Sequence, residues 1–326
     1  MIKHYKISKD TIQPVEELSS IEREKDIFWI DLVSPSVEED KIVETFLGIS
    51  IPTRQDMEEI ELSSQFYEED GARYMTLSVI AQMHIDNPVK TPVTFILYQN
   101  ALVTIRYEEL VSLNNYVTKA GKKGGVNVAA PEAVMCDILE SLINRIADSL
   151  ELVGRDIETI SRDIFRSKKT SPSRKNGILQ SSIRKIGAEG DLLGMLRESL
   201  ASFGRFVSHY NFDYGRTETK AVRSKFNTIH KDVQSLSDHA NFLSGKMNFL
   251  LDATLGMINL EQNQIIKIFS VVAVVFLPPT MVATIYGMNF KTMPELEWAY
   301  GYPLSIAFMI AFAVLPLLYF KKKGWL

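Results

Sequence analysis

The sequence predicts an α+β chain that ends in a membrane: an N-terminal α/β domain, a helical hairpin, one long stalk helix and two C-terminal transmembrane helices. Three observations predict it. Short β-branched and aromatic runs separated by turn residues fill the first part of the chain. From Pro131 onward apolar residues recur in steps of three and four, the mark of helices packed along a seam. Near the end stand two apolar runs without a charge, Ile268–Ile285 and Tyr302–Phe320, of 18 and 19 residues. At 1.5 Å per residue each approaches the ~30 Å of a bilayer's hydrocarbon core.

Composition narrows the function classes. The 326 residues carry 36 Lys+Arg against 40 Asp+Glu, a net charge of -4 that lacks the basic excess of a nucleic-acid binder. The single cysteine, Cys136, excludes an internal disulfide framework and a multi-cysteine zinc site. The opening MIKHYKISKD is polar and has no apolar signal-peptide core. The five histidines show no metal-ligand spacing, and no nucleophile has an assignable base, so no enzyme is predicted.

Residues 1–130 form the predicted α/β domain. Residues 2–7 and 27–33 read as strands. Ser36 and Glu39 form a capping-box pattern that starts a helix running to about Phe46 and ended by Gly48. Thr53 to about Leu62 is a second helical candidate. Tyr74–His84, Val93–Tyr98 and Ala101–Tyr107 read as strands, with a tight turn at Gln99-Asn100. The Gly/Lys-rich patch Lys119–Gly125 is a linker; it lacks the G-x-x-x-x-G-K-[ST] of a phosphate loop.

Residues 131–216 form the predicted antiparallel hairpin. Its first seam runs Leu139, Leu142, Ile146, Leu150, Val153, Ile157, Ile160 and Ile164; Lys168–Lys175 breaks it. The second helix, about Asn176–Tyr210, carries Leu179, Ile183, Ile186, Leu193, Leu196, Leu200 and Phe203, and Asn211–Gly215 ends it. Residues 217–285 are one stalk helix continuing into the first span, roughly 100 Å long at 1.5 Å per residue. Its seam, from Val222 through Phe226, Ile229 and Val233 to Leu250 and Thr254, steps 4-3 without a fault. That seam can pack on the hairpin or on copies of itself. A rod leading into a membrane favours an oligomer about a shared axis.

Lysines set the expected topology. Lys246 and Lys267 precede the first span, the 321–326 tail carries Lys321, Lys322 and Lys323, and the loop 286–301 has only Lys291. The positive-inside rule puts both termini in the cytoplasm and the short loop outside. The second span is 302–320.

After the first span stands Tyr286-Gly287-Met288-Asn289-Phe290, then Met293-Pro294-Glu295-Leu296, Trp298, Gly301-Tyr302-Pro303, the second span and a Lys-Lys-Lys-Gly-Trp-Leu end. This arrangement resembles the CorA family of magnesium and cobalt transporters. The resemblance implies a homopentameric funnel in the cell inner membrane, its partners the lipid bilayer, divalent ions and copies of the chain. First spans would line a central pore. Mg2+ would be cargo and regulatory ligand, and Co2+ a second cargo. The zinc-transporting branch shares the signature and is the nearest rival; a non-conducting membrane-anchored scaffold is the rival from another class.

The residues fit that chemistry. Mg2+ holds its water shell tightly, so neutral oxygens that bond its waters avoid the cost of stripping it. Asn289 offers an amide oxygen, and Gly287 lets main-chain carbonyls turn toward an axis. Gly and Asn are also common where helices end. One face of the first span carries Asn263, Ile266, Phe269 or Ser270, Ala273, Leu277, Thr280 and Thr284: neutral polar rings alternating with apolar constrictions, or a lipid-facing stripe. Glu295 and Glu297 are either cation-attracting or simply solvated. In the family, carboxylates between subunits bind Mg2+ and close the channel. Asp56 resembles one such ligand; the expected stalk position holds Thr228, leaving Asp232 and Asp238 nearest. Asp252 matches the acidic mouth of the family's pore.

Overall fold

The computed structural model describes all residues except 9–10, 83–87, 123–129, 167–171, 215–218, 292, 295–297 and 326. The chain divides into two compact units: Met1–Lys168 with Ser182–Leu250, and Lys169–Ser181 with Leu251–Leu326.

The first unit is built on a seven-stranded sheet of order β2-β1-β3-β7-β6-β5-β4. Its strands are β1 (Ile2–Ser8), β2 (Thr11–Val15), β3 (Ile27–Val33), β4 (Phe66–Glu69), β5 (Ala72–Ala81), β6 (Val89–Tyr98) and β7 (Ala101–Arg106). Only β3 and β7 pair in parallel; every other neighbouring pair is antiparallel. Both faces of the central strands are covered, which is why IFWIDLV and ALVTIR read as near-continuous apolar runs. Phe28, Ile30 and Leu32 face a cluster with Val43 and Leu47 of helix α1 (Val37–Leu47) and Met57 of helix α2 (Arg54–Met57). On the other face Trp29 meets Tyr116 of helix α4 (Val111–Ala120), and Phe95 meets Phe206 of helix α6 (Pro172–Asp213).

That second face also buries a charge pair. Arg106 is fully buried and Asp31 2% exposed. Arg106 donates from Nη2 to Asp31 Oδ2 at 2.9 Å and from Nε to Oδ1 at 3.2 Å. Thr104 donates to the same Oδ1 at 2.8 Å, while its oxygen accepts from Trp29 Nε1 at 2.9 Å. A buried carboxylate with this many donors offsets much of its desolvation cost.

The local readings hold in detail at α1: Ser36 and Glu39 form the reciprocal capping box, and Gly48 closes the helix at φ +77. Elsewhere the structure differs. Thr53–Leu62 is not one helix but α2 and a separate turn of helix, α3 (Leu62–Gln65), because the chain leaves helical geometry around Ile60-Glu61. Strands β2 and β4 and helix α4 are additional. The 99–100 turn carries its positive φ at Gln99 (+49), not at Asn100. Helix α6 starts at Pro172, where a proline fits the first turn, and continues through Asp213. His84, residues 123–125 of the linker, 168–171 and 215–217 lie outside the described residues.

Helix α5 (Pro131–Arg166) and α6 pack on helix α7 (Lys220–Tyr286). Asp137 pairs with Lys225 and Glu158 with Lys246, so α5 runs parallel to α7. Tyr210 stacks on Phe226 at 4.0 Å, and β-carbons built at Gly204 and Gly190 would meet Val233 and Met247. Helix α6 is therefore antiparallel to α7 and to α5. Val222, Phe226, Ile229, Val233, Ala240, Leu243, Met247 and Leu250 are all buried. The chain's own hairpin covers this seam, with Leu236 half-buried, while Phe242 and Phe249 of the same stretch stay exposed.

Among the described residues two helices are long and apolar enough to cross a membrane: α7, whose part from Leu251 lies in the second unit, and helix α8 (Gly301–Lys322). Lys267 Nζ lies 5.8 Å from the Trp325 ring, so the start of the first span and the end of the second are side by side.

Candidate functional site

Asn263, Ile266, Phe269, Ser270, Ala273, Leu277, Thr280 and Thr284 are all exposed, with Phe269 at 71% and Leu277 at 68%. At about 100° per residue they share one face of α7. The opposite face holds Val271 and Val275, which are buried within the unit. Ala273, Leu277, Thr280 and Thr284 line a groove of about 620 Å3 along the helix with Val272, Phe276, Met281 and Ile285.

The two threonines have a definite polarity. Thr280 donates its hydroxyl proton to the Phe276 carbonyl, and Thr284 donates to the Thr280 carbonyl, each at 2.7 Å. A hydroxyl has one proton, so both oxygens present acceptor lone pairs outward. Pro278 and Pro279 sit just before them inside α7 and supply no N–H to the carbonyls of Val274 and Val275.

Tyr286 is the last residue of α7. Gly287 closes the helix by donating its N–H to the Ala283 carbonyl at 2.9 Å, and Met288 donates to Ile285 at 3.3 Å. A β-carbon at Gly287 would stand 3.1 Å from the Ala283 oxygen. That is tighter than an ordinary β-carbon contact, while the φ of Gly287 is outside the left-handed region. Asn289 is exposed, its side chain makes no hydrogen bond to any described residue, and its φ is not positive, so it does not form a left-handed helix cap. Glu295 and Glu297 lie outside the described residues.

Each of the expected regulatory carboxylates has its own surroundings. Asp56 is the third residue of α2, where its Oδ2 accepts from the Thr53 amide at 2.9 Å and the Thr53 hydroxyl at 2.7 Å. Beside it burial, with the charges of Glu69 and Asp56, pushes the Tyr67 phenol up to about 12. Asp232 and Asp252 are exposed on α7. Thr228 bonds back to the Ser224 carbonyl at 3.2 Å. Among the described residues no three His, Cys, Asp or Glu side chains are grouped to hold a metal.

Sequence reasoning missed the Asp31–Arg106 pair, whose signal was a lone charge in each of two otherwise buried strands. It also missed Glu189 on α6, whose carboxyl is pushed above its ordinary range by burial and by the charge of Asp156 on α5.

The model of the family described as CorA-like Mg2+ transporter protein matches residues 24–322. The magnesium transport protein CorA of Salmonella typhimurium is 35% identical over 328 residues, covering all of both chains. The protein of that name from Escherichia coli K12 is 37% identical over 298 residues, 91% of this chain and 92% of that one. The complete structure of the CorA magnesium transporter from Methanocaldococcus jannaschii superimposes with a TM-score of 0.79 over 100% of this chain and 99% of that one, at 20% identity. A family match over most of the length, two relatives matched over nine-tenths or more of both chains and a shared fold agree: the chain belongs to the CorA family.

Proposed function

We propose that the chain is a membrane transporter of Mg2+, with Co2+ as a second cargo, and that it works as a homopentamer whose first spans surround one central pore. The observation that carries the proposal is the exposed face of α7 from Asn263 to Thr284, leading to Asn289, whose side chain bonds to no described residue, in a chain whose relatives are named magnesium transport proteins. Those names favour Mg2+ over the zinc rival. The reading assigns no enzyme activity to the chain.

A hydrated Mg2+ presents water protons outward. Neutral acceptors at Thr280, Thr284 and Asn289 suit that shell, since water bridges ion to protein at little enthalpic cost. Ile266, Phe269 and Leu277, on the same face, would form rings that exclude water when narrowed. The seam over Val222–Leu250 does not support the pentamer, because the hairpin fills it. Support comes from the membrane face of α7 and from the family. Asp56 with Asp232, and Asp252 nearer the membrane, are the carboxylates that would hold a regulatory Mg2+ between copies of the chain. The lysine distribution supports an inner-membrane protein with both termini in the cytoplasm and Glu295 and Glu297 outside.

The test is growth of a bacterial strain stripped of its own Mg2+ uptake systems. The wild-type chain should restore growth at limiting Mg2+, and Asn289→Ala should not. Failure of well-inserted wild-type chain to support growth would remove the proposal.

A further inference from the structure

We propose that the basic and aromatic cluster at the returning end of the second span binds the phosphate of an anionic phospholipid. The inference rests on the membrane-spanning reading of α7 and α8, not on which ion is carried. Lys321 and Lys322 end α8, and Lys323 follows. Gly324 adopts φ +69, and the amides of Gly324 and Trp325 donate back to Lys321 and Phe320 at 3.2 and 3.0 Å. This left-handed turn folds the chain so that Trp325 stacks on Phe320, ring centroids 5.2 Å apart. Lys267, from the start of the first span, lies over the Trp325 ring, and Lys323 lies 5.5 Å from the Tyr319 ring.

Four ammonium groups thus share one end of the helix pair, and none is ion-paired to a described residue. The two cation–π contacts hold Lys267 and Lys323 in place without cancelling their charge. Like charges held this way leave a site for an anion. Tryptophan and tyrosine rings sit at headgroup depth, and lysines at span ends reach the same level. Phosphate from solution would bring the same charge. The lipid is favoured because the exposed Leu317, Leu318 and Ile268 border the lysines and would meet its acyl chains.

The full chain is reconstituted in phosphatidylcholine vesicles with a minor fraction of phosphatidylglycerol carrying brominated chains. A parallel set carries brominated phosphatidylcholine at the same fraction. The Trp325 contribution to fluorescence quenching is isolated by difference against Trp325→Phe. One lysine facing an anionic surface is worth about five-fold in partitioning, so at least about that preference for phosphatidylglycerol is expected. The triple variant Lys321→Gln, Lys322→Gln, Lys323→Gln should lose it while keeping the wild-type assembly size. Equal quenching by both lipids, or a preference that survives in the triple variant, overturns the proposal. Inorganic phosphate at constant ionic strength should not compete; if it does, the site takes free anions and the lipid assignment falls. Mg2+ entry followed in the same vesicles separates the readings. Lost entry with intact lipid preference counts against the transport proposal alone.

Discussion

Replacing Thr284 by valine removes one atom's worth of chemistry from the face of α7 and almost nothing else. Valine keeps the β-branched shape, and the Thr280 carbonyl that loses the 2.7 Å hydroxyl bond remains in a helix where a main-chain amide is its regular partner. What disappears is an outward acceptor, once per subunit. A hydrogen bond of this kind contributes about 1 kcal/mol net. In the proposed pentamer, a hydrated ion that touches two of five such oxygens at a time would lose ~2 kcal/mol, or about 30-fold in occupancy of that ring. Thr284→Val should therefore slow Mg2+ entry roughly 10- to 100-fold, read with a Mg2+-sensitive dye trapped in proteoliposomes. Thr284→Ser restores the acceptor and should recover most of the rate. A valine variant at wild-type speed, or a serine variant as slow as valine, would refute the idea that this face presents acceptors to the ion's waters.

Three further outcomes are expected. Asn289→Ala should abolish entry while leaving the oligomer's mass unchanged in detergent; wild-type entry would reduce Asn289 to a loop residue. Asp56→Ala combined with Asp232→Ala should keep entry active at internal Mg2+ levels that silence the wild type, because a ligand bound only to the closed state shifts the population toward it; superimposable inhibition curves would clear both residues of a sensing role. Glu189→Gln should raise the melting temperature at neutral pH. The folded state holds this carboxyl above its ordinary range, so its stabilising contribution is complete below the unfolded value near 4.5 and is lost as pH rises through the folded value. The difference between variant and wild type should accordingly shrink toward pH 4; a constant offset across pH would contradict that origin.

The sequence made the helices and the membrane segments legible because period and length are direct physical signals. The faultless 4-3 steps of α7 told that a seam exists, but not what fills it. A 3.5-residue repeat describes one surface, and α5 and α6 turned out to supply the other. Strand β2 escaped notice because it is an edge strand with Pro14 inside it and only Ile12 buried, so it shows neither alternation nor a buried run. The Asp31–Arg106 pair depends on the parallel register that sets Asp31 against Thr104 and Val33 against Arg106, a long-range fact that no local pattern carries. Tyr286 to Asn289 stand out in the sequence by position and company, and the structure puts them at and just after the end of α7. No partner for Asp56 was legible, and among the described residues no three His, Cys, Asp or Glu side chains are grouped to hold a metal.

The central claim, that this chain passes hydrated Mg2+ through rings of neutral oxygens, is tested most directly by ion entry into liposomes containing the purified protein, with Mg2+ and Zn2+ compared at equal concentration and with an inside-negative potential imposed or absent. Mg2+ entry that the potential accelerates and that outpaces Zn2+ entry is expected. Entry of Zn2+ alone, or no entry of either ion from a correctly assembled protein, would contradict it.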